Sequence, residues 1–169
     1  MHYGNIKWLS IENGDGVRVS LFVSGCRNKC KHCFSQCTWD FNYGQVFTNE
    51  TLKSLLNGLK MPYIQGLTIL GGEPLEPENQ KTVLEIIKAV KTTYPDKDIW
   101  LYTGFVLQED KTIKDPINKD IQNRGNTPYL HEILNLIDVL VDGRFEEDKK
   151  DISLKFRGSS NQRIIKMHP

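Results

Sequence analysis

The stretch Val17-Arg18-Val19-Ser20-Leu21-Phe22-Val23-Ser24-Gly25-Cys26 runs a β-strand straight into a cysteine. It is rich in β-branched residues, and the turn cluster Asn13-Gly14-Asp15-Gly16 bounds it on the N-terminal side. A shorter apolar segment at residues 6–9 is placed to pair with it. Further along, short β runs alternate with helical periods. Thr48 caps a helix that carries Leu52, Leu55, Leu56 and Leu59 on one face. Residues 67–70 read as a buried parallel strand. Val83, Leu84, Ile87, Val90 and Tyr94 form the next helical stripe, which Pro95 stops. Residues 99–103 are another strand. The polar, turn-rich segment 111–127 reads as a loop with a fragment of helix. Tyr129, Ile133, Leu134, Leu136 and Ile137 form a short helix that leads into a strand at 139–141. The charge run 146–151 is a solvated surface.

Strand–helix–strand alternation implies parallel pairing through right-handed crossovers. At about 30 residues per βα unit, the 169 residues hold four to five units. A complete eight-fold barrel needs about 250 residues. The expected fold is therefore α/β, a partial (open) β/α barrel of parallel strands, with residues 1–169 forming a single domain. In such sheets the ligand site lies at the carboxyl ends of the strands. The cysteine loop, residues 24–40, follows the first long strand at that end. So do Gly71-Gly72-Glu73-Pro74, Thr103-Gly104 and Asp142-Gly143.

Composition excludes several classes. Hydrophobic residues make up 38% and charged residues 25%, which fits neither a disordered nor a membrane chain. A net charge of +1 gives no electrostatic case for a nucleic-acid partner. No apolar run approaches the roughly 20 residues of a membrane span. The N-terminus lacks a charged-then-apolar signal pattern, so a cytoplasmic location is expected.

All four cysteines, Cys26, Cys30, Cys33 and Cys37, fall within one short stretch. A disulfide framework would spread them to staple distant segments. Clustered thiols in a reducing compartment point instead to metal or redox chemistry. A structural zinc site usually pairs two knuckles from separate parts of a chain, and no second knuckle exists here. The spacing also departs from the bacterial ferredoxin run. Three closely spaced thiolates suit one face of a four-iron, four-sulfur cube, with the fourth iron held by Cys37 or left open to a ligand. A local zinc loop using all four thiols is the alternative. Arg27, Lys29 and Lys31 interleave the thiols and offset their charge. Trp39 and Phe41 are placed to cover the cluster from solvent.

The other strand ends each carry two readings. In Gly71-Gly72-Glu73-Pro74 the glycines let backbone approach a ligand, and Glu73 can accept from an ammonium group. Otherwise this is a tight turn with Glu73 near a helix N-terminus. Thr103-Gly104 offers a hydroxyl and open backbone to a ribose, or is an ordinary strand end. Asp142 is a ligand acceptor, or a turn former before Gly143. Phe34 packs against a nucleobase or belongs to the core. His32 is a neighbour of the cluster rather than an iron ligand. His2, His131 and His168 carry no signal.

Cys26, Cys30 and Cys33, followed by Gly71-Gly72-Glu73-Pro74, resemble the radical S-adenosylmethionine (SAM) enzymes. Within them, the chain is similar to the activating proteins of anaerobic ribonucleoside-triphosphate reductases. The narrower likeness rests on the short length, on Cys37-Thr38-Trp39-Asp40, Trp100-Leu101-Tyr102-Thr103-Gly104 and Val139-Leu140-Val141-Asp142-Gly143-Arg144-Phe145, and on the tail Phe156-Arg157-Gly158-Ser159-Ser160-Asn161-Gln162-Arg163. The resemblance implies a 4Fe–4S cluster on Cys26, Cys30 and Cys33, with Cys37 a non-ligand. Its open iron chelates the amino and carboxylate groups of SAM. Glu73, with Gly71 and Gly72 beside it, meets the SAM ammonium. Residues around the third cysteine, His32, Cys33 and Phe34, contact adenine; the position of His32 is often aromatic in similar enzymes. The implied reaction is reductive cleavage of SAM to methionine and a 5′-deoxyadenosyl radical. That radical abstracts hydrogen from a glycine of the large reductase subunit, the implied protein partner. A flavodoxin fits as low-potential electron donor. The same chemistry also serves activases of the formate-lyase type. From a different class, a non-catalytic zinc or iron–sulfur adaptor is the competing assignment. Phe105, Phe145, Phe156, Arg157 and Arg163 are candidates for partner contact, with the tail 152–169 as the contacting segment; core packing is the alternative for the three phenylalanines.

Overall fold

The computed structural model describes residues 1–116 and 124–168. A seven-stranded mixed sheet carries the chain. Its strands are β1 (His2–Ser10), β2 (Val17–Val23), β3 (Gln45–Val46), β4 (Ile64–Gly71), β5 (Asp98–Tyr102), β8 (Val139–Asp142) and β9 (Arg163–Lys166). A separate two-stranded ribbon pairs β6 (Val106–Leu107) with β7 (Ile113–Lys114). Three helices complete it: α1 (Asn49–Leu59), α2 (Pro77–Thr93) and α3 (Leu130–Leu136).

The sheet order is β3-β1-β2-β4-β5-β8-β9. The expected parallel arrangement holds for the four central strands, β2, β4, β5 and β8. The flanks are antiparallel. The reason is connection length and content. Only the turn after Ser10 separates β1 from β2, far too few residues for a crossover. The chain between β8 and β9 contains one short 3-10 turn and no crossover α-helix, so it returns antiparallel. The tail segment Arg163–Lys166 is thus an edge strand of the sheet.

Local sequence explains the helices. The Thr48 hydroxyl accepts from the Thr51 amide at 3.3 Å, and the Thr51 hydroxyl accepts from the Thr48 amide at 3.3 Å, a reciprocal cap for α1. Pro77 occupies the first turn of α2, where its missing N–H costs nothing. Leu55, Leu59, Ile86, Ile87, Ile133 and Leu134 bury against Val19, Leu21, Leu67, Ile69 and Leu101 of the central strands. Burying each such side chain contributes about 1.5–3 kcal/mol. This packing fixes the strand ends as one rigid rim. The 111–127 loop contains β7, and its residues 117–123 lie outside the described residues, as does any helix fragment there. Among the described residues, no helix is long and apolar enough to cross a membrane.

Candidate active site

At the carboxyl ends of the parallel strands, one cleft gathers Cys26, Cys30, Cys33 and Phe34 with Gly71, Gly72, Glu73, Thr103, Gly104 and Arg144. It is open to solvent, its empty space of about 910 Å³ taking in the mouth. Backbone bonds dock the cysteine loop on the glycine turn: Gly72 N–H donates to Val23 C=O at 2.7 Å, and Glu73 N–H to Gly25 C=O at 2.9 Å. A Cβ at Gly72 would stand 2.7 Å from the Gly25 oxygen, so only glycine allows this approach. Lys29 and His32 both hold positive φ, +46° and +58°, inside the cysteine loop. Two non-glycine residues in that sparsely allowed region mark a loop held in shape by its surroundings.

Glu73 is the buried anion of the cleft. Its Oε1 accepts from the Thr103 hydroxyl at 2.7 Å and the Leu75 amide at 3.0 Å. Its Oε2 accepts from the Gly104 amide at 2.7 Å and the Asn28 side-chain amide at 2.9 Å. All four donors are neutral, and among the described residues no cation pairs with it. Burial pushes its carboxyl up to about 7, against the pull of those donors. A cationic group is what such a carboxylate could still accept.

Arginines hold the cleft's outer layer. Arg144 donates to the Asn28 carbonyl at 3.0 Å and pairs with Asp115 at 2.5 Å. Arg124 donates to the Asn28 Oδ1 at 2.7 Å and pairs with Glu76 at 3.1 Å and Asp115 at 3.3 Å. Arg27 adds ion pairs to Glu76 and Glu78 and lies 4.4 Å over the Phe41 ring.

The thiols fit an iron–sulfur cluster. Cys26, Cys30 and Cys33 line the cleft, whereas Cys37 is exposed and does not. Burial, then the Glu73 charge, pushes the Cys26 thiol up to about 12. Burial also raises Cys30, with the Arg144 charge opposing it. Such thiols stay protonated at neutral pH until metal replaces the proton. Among the described residues no three His, Cys, Asp or Glu groups converge as ligands of a single ion; a cube asks instead for three thiolates on three separate irons.

The remaining sequence-named residues divide. Gly71, Gly72, Glu73, Thr103, Cys33 and Phe34 all reach the cleft, Phe34 standing 82% exposed at its mouth against Phe145. Trp39 lines the wall. His32 is exposed and does not line it. Asp142 is not brought in either: its carboxylate pairs with Arg163 and accepts from the Leu107 amide at 2.9 Å. Arg163, a candidate for partner contact, is thereby the clasp that fastens β9 to β8. Phe105 is fully buried in the core, and Phe156 packs edge-on against Trp100. Asn28, Arg144, Arg124, Asp115 and Glu76 escape sequence reasoning. Asn28 carries one local signal, an amide residue between two cysteines that point into one loop.

Known proteins are similar to this chain in sequence. The family model described as a 4Fe-4S single cluster domain matches residues 12–165. The chain is similar to the anaerobic ribonucleoside-triphosphate reductase-activating protein of Haemophilus influenzae, 42% identical over 166 residues, covering 97% of each chain. The protein of the same name from Enterobacteria phage T4 is 38% identical over 164 residues, covering 97% of this chain and 93% of that one. The one from Escherichia coli K12 is 38% identical over 164 residues and 96% of each chain. Full-length likeness of this order, on top of a cleft that collects three thiols and an unpaired buried carboxylate, makes the chain a member of the anaerobic ribonucleoside-triphosphate reductase-activating protein family.

Proposed function

We infer that this chain is a radical SAM activase that installs the glycyl radical of the large subunit of an anaerobic ribonucleoside-triphosphate reductase. The observation that carries this is Glu73, a buried carboxylate with four neutral donors and no described cation, facing the same cleft as three thiols. Cys26, Cys30 and Cys33 are the residues to hold a 4Fe–4S cluster. A cluster held there would, when reduced, supply the electron for cleavage of the SAM sulfonium C–S bond, the chemistry that a glycyl-radical activase needs.

The chain's own contribution is positioning and charge. Glu73 receives the SAM ammonium, a charge-assisted bond of about 1.5–3 kcal/mol. Thr103 and Gly104 hold Glu73 in place through its two oxygens. Gly71 and Gly72 keep the cleft floor free of side chains. Cys33 and Phe34 stand on the adenine side of the cleft, with Phe34 at its mouth, whereas His32, exposed outside the lining, does not contact adenine. Trp39 limits water. Asp142 acts indirectly, by clasping Arg163.

A sheet curved as a partial barrel leaves the mouth open for a partner loop, and residues 152–169 help to receive it. A flavodoxin-like donor supplies the electron, in the cytoplasm, where thiols stay reduced. The test is direct. Anaerobically reduced protein, SAM and the large reductase subunit are mixed and examined by EPR. A glycyl doublet together with stoichiometric 5′-deoxyadenosine supports the assignment. Deoxyadenosine with a doublet only on a formate-lyase-type enzyme assigns a different partner.

A further inference from the structure

Among the described residues, Asn28 is the one side chain that joins the cysteine loop to the carboxylate of the glycine turn. It lies between Cys26 and Cys30 and is buried. Its Oδ1 accepts from Arg124 at 2.7 Å, and its carbonyl accepts from Arg144 at 3.0 Å. Arg124 can only donate, so it fixes the side-chain oxygen and the NH₂ group faces Glu73, where the bond is 2.9 Å; Arg144 holds the backbone carbonyl instead. The fit is steric as well: a Cβ on Gly104 would stand 2.3 Å from the Asn28 amide nitrogen. Both arginines are themselves more than nine-tenths buried and fixed by Asp115. The amide is thereby held beside Glu73 Oε2, which it shares with the Gly104 amide, and it is the donor to that oxygen that comes from the cysteine loop.

We propose that Asn28 is a positioning residue that holds the Glu73 carboxylate in register with the cysteine loop, so that a SAM molecule can meet the cluster and Glu73 at once. This rests on Glu73 receiving the SAM ammonium. The tie adds nothing to the contacts of the nucleoside portion. Its loss is therefore felt only by ligands that carry the amino-acid end.

The experiment compares two ligands on cluster-loaded protein. SAM carries the ammonium; 5′-methylthioadenosine carries the nucleoside and sulfur without the amino-acid portion. Iron and sulfide content are measured first, then both affinities, for wild type, Asn28→Ala and Glu73→Gln. The expected result is that Asn28→Ala keeps its iron and sulfide and binds SAM about tenfold more weakly, with methylthioadenosine affinity unchanged within about twofold. Asn28→Ala in the Glu73→Gln background then costs little more, because both act on one contact. If Asn28→Ala assembles no cluster, Gly104→Ala, which displaces the amide from outside the cysteine loop, is put through the same comparison. Should Glu73→Gln lose SAM selectivity while Asn28→Ala keeps it, the positioning role is wrong and the Glu73 assignment stands. Should Glu73→Gln itself leave the selectivity intact, the ammonium contact is wrong. Loss of the cluster in both Asn28→Ala and Gly104→Ala overturns the proposal too, since the network would then hold the loop and not the carboxylate.

Discussion

Two buried charges sit at opposite ends of the central strands, and they are treated in opposite ways. At the base, Arg18 opens β2 and is fully buried. Its Nε donates to the Thr68 hydroxyl at 2.8 Å, its Nη1 to the Asp15 carbonyl at 2.9 Å and its Nη2 to the Leu67 carbonyl at 3.0 Å. Asp98 stands 2.6 Å from it as counter-ion, and the Trp100 ring lies against the guanidinium. Every nitrogen is engaged. At the rim, Glu73 has donors but no described counter-ion, and the Nε atoms of Arg124 and Arg144 have no partner among the described residues. The buried guanidinium below has a counter-ion, with Asp98 Oδ1 and the Trp100 indole N–H left without hydrogen-bond partners among the described residues; the buried carboxylate above has donors but no counter-ion among them. A buried charge that has its counter-ion needs no ligand; on the proposed reading, the charge without one is where a cationic ligand would bind.

Mutations at the two ends should therefore separate stability from chemistry. The largest effect belongs to the thiols. Cys30→Ala is expected to abolish SAM cleavage and cluster content, while Cys37→Ala, outside the cleft, retains both by iron, sulfide and deoxyadenosine assays. Next comes Arg18→Met at the base. It removes the counter-ion of Asp98 and the donor to the Thr68 hydroxyl, which keeps its bond to the Asn13 carbonyl, and should cost about 3 kcal/mol in denaturant unfolding, with SAM affinity of the folded protein unchanged. Glu73→Gln should do the reverse. Its fold persists, because a poorly compensated buried carboxylate is removed, while SAM binding weakens about 10- to 100-fold.

A smaller effect sharpens the contrast through pH. The folded carboxyl of Glu73 lies near 7 against an ordinary 4.5. Between those values the folded chain holds more protons than the unfolded one, so stability contributed by this group falls as pH rises through the window. Wild type minus Glu73→Gln should thus lose stability from pH 4.5 to 7, by on the order of 3 kcal/mol at most. Opposite behaviour is expected of Glu12, whose carboxyl Lys7 lowers to about 2; that exposed pair should hold its charge down to strongly acid pH.

Much of this was legible in the chain itself, for local reasons. Strands β2, β4, β5 and β8 and helices α1 and α2 announce themselves by period and by signals such as the Thr48 cap and the Pro95 stop, because those signals lie within a few residues of one another. The strand-end rule then brought Cys26, Glu73 and Thr103 to one rim without a structure. Asp142 sits at a strand end like the others, yet its charge is spent on Arg163, a partner 21 residues away. Asn28 meets Arg144 across 116 positions and Arg124 across 96. No periodicity encodes such meetings; they exist only after the sheet has brought its edges together. The edge strands β3 and β9 were illegible for another reason: two to four half-exposed residues give no alternation to read.

The central claim is that the three-thiol cleft holds a cluster whose open iron and whose neighbour, Glu73, bind SAM together. The most direct measurement is frozen-solution EPR of the dithionite-reduced, cluster-loaded protein with and without SAM. A changed cluster signal on adding SAM, lost in Glu73→Gln at the same concentration, is the predicted result. An unaltered spectrum at saturating SAM, with no deoxyadenosine released, would contradict it.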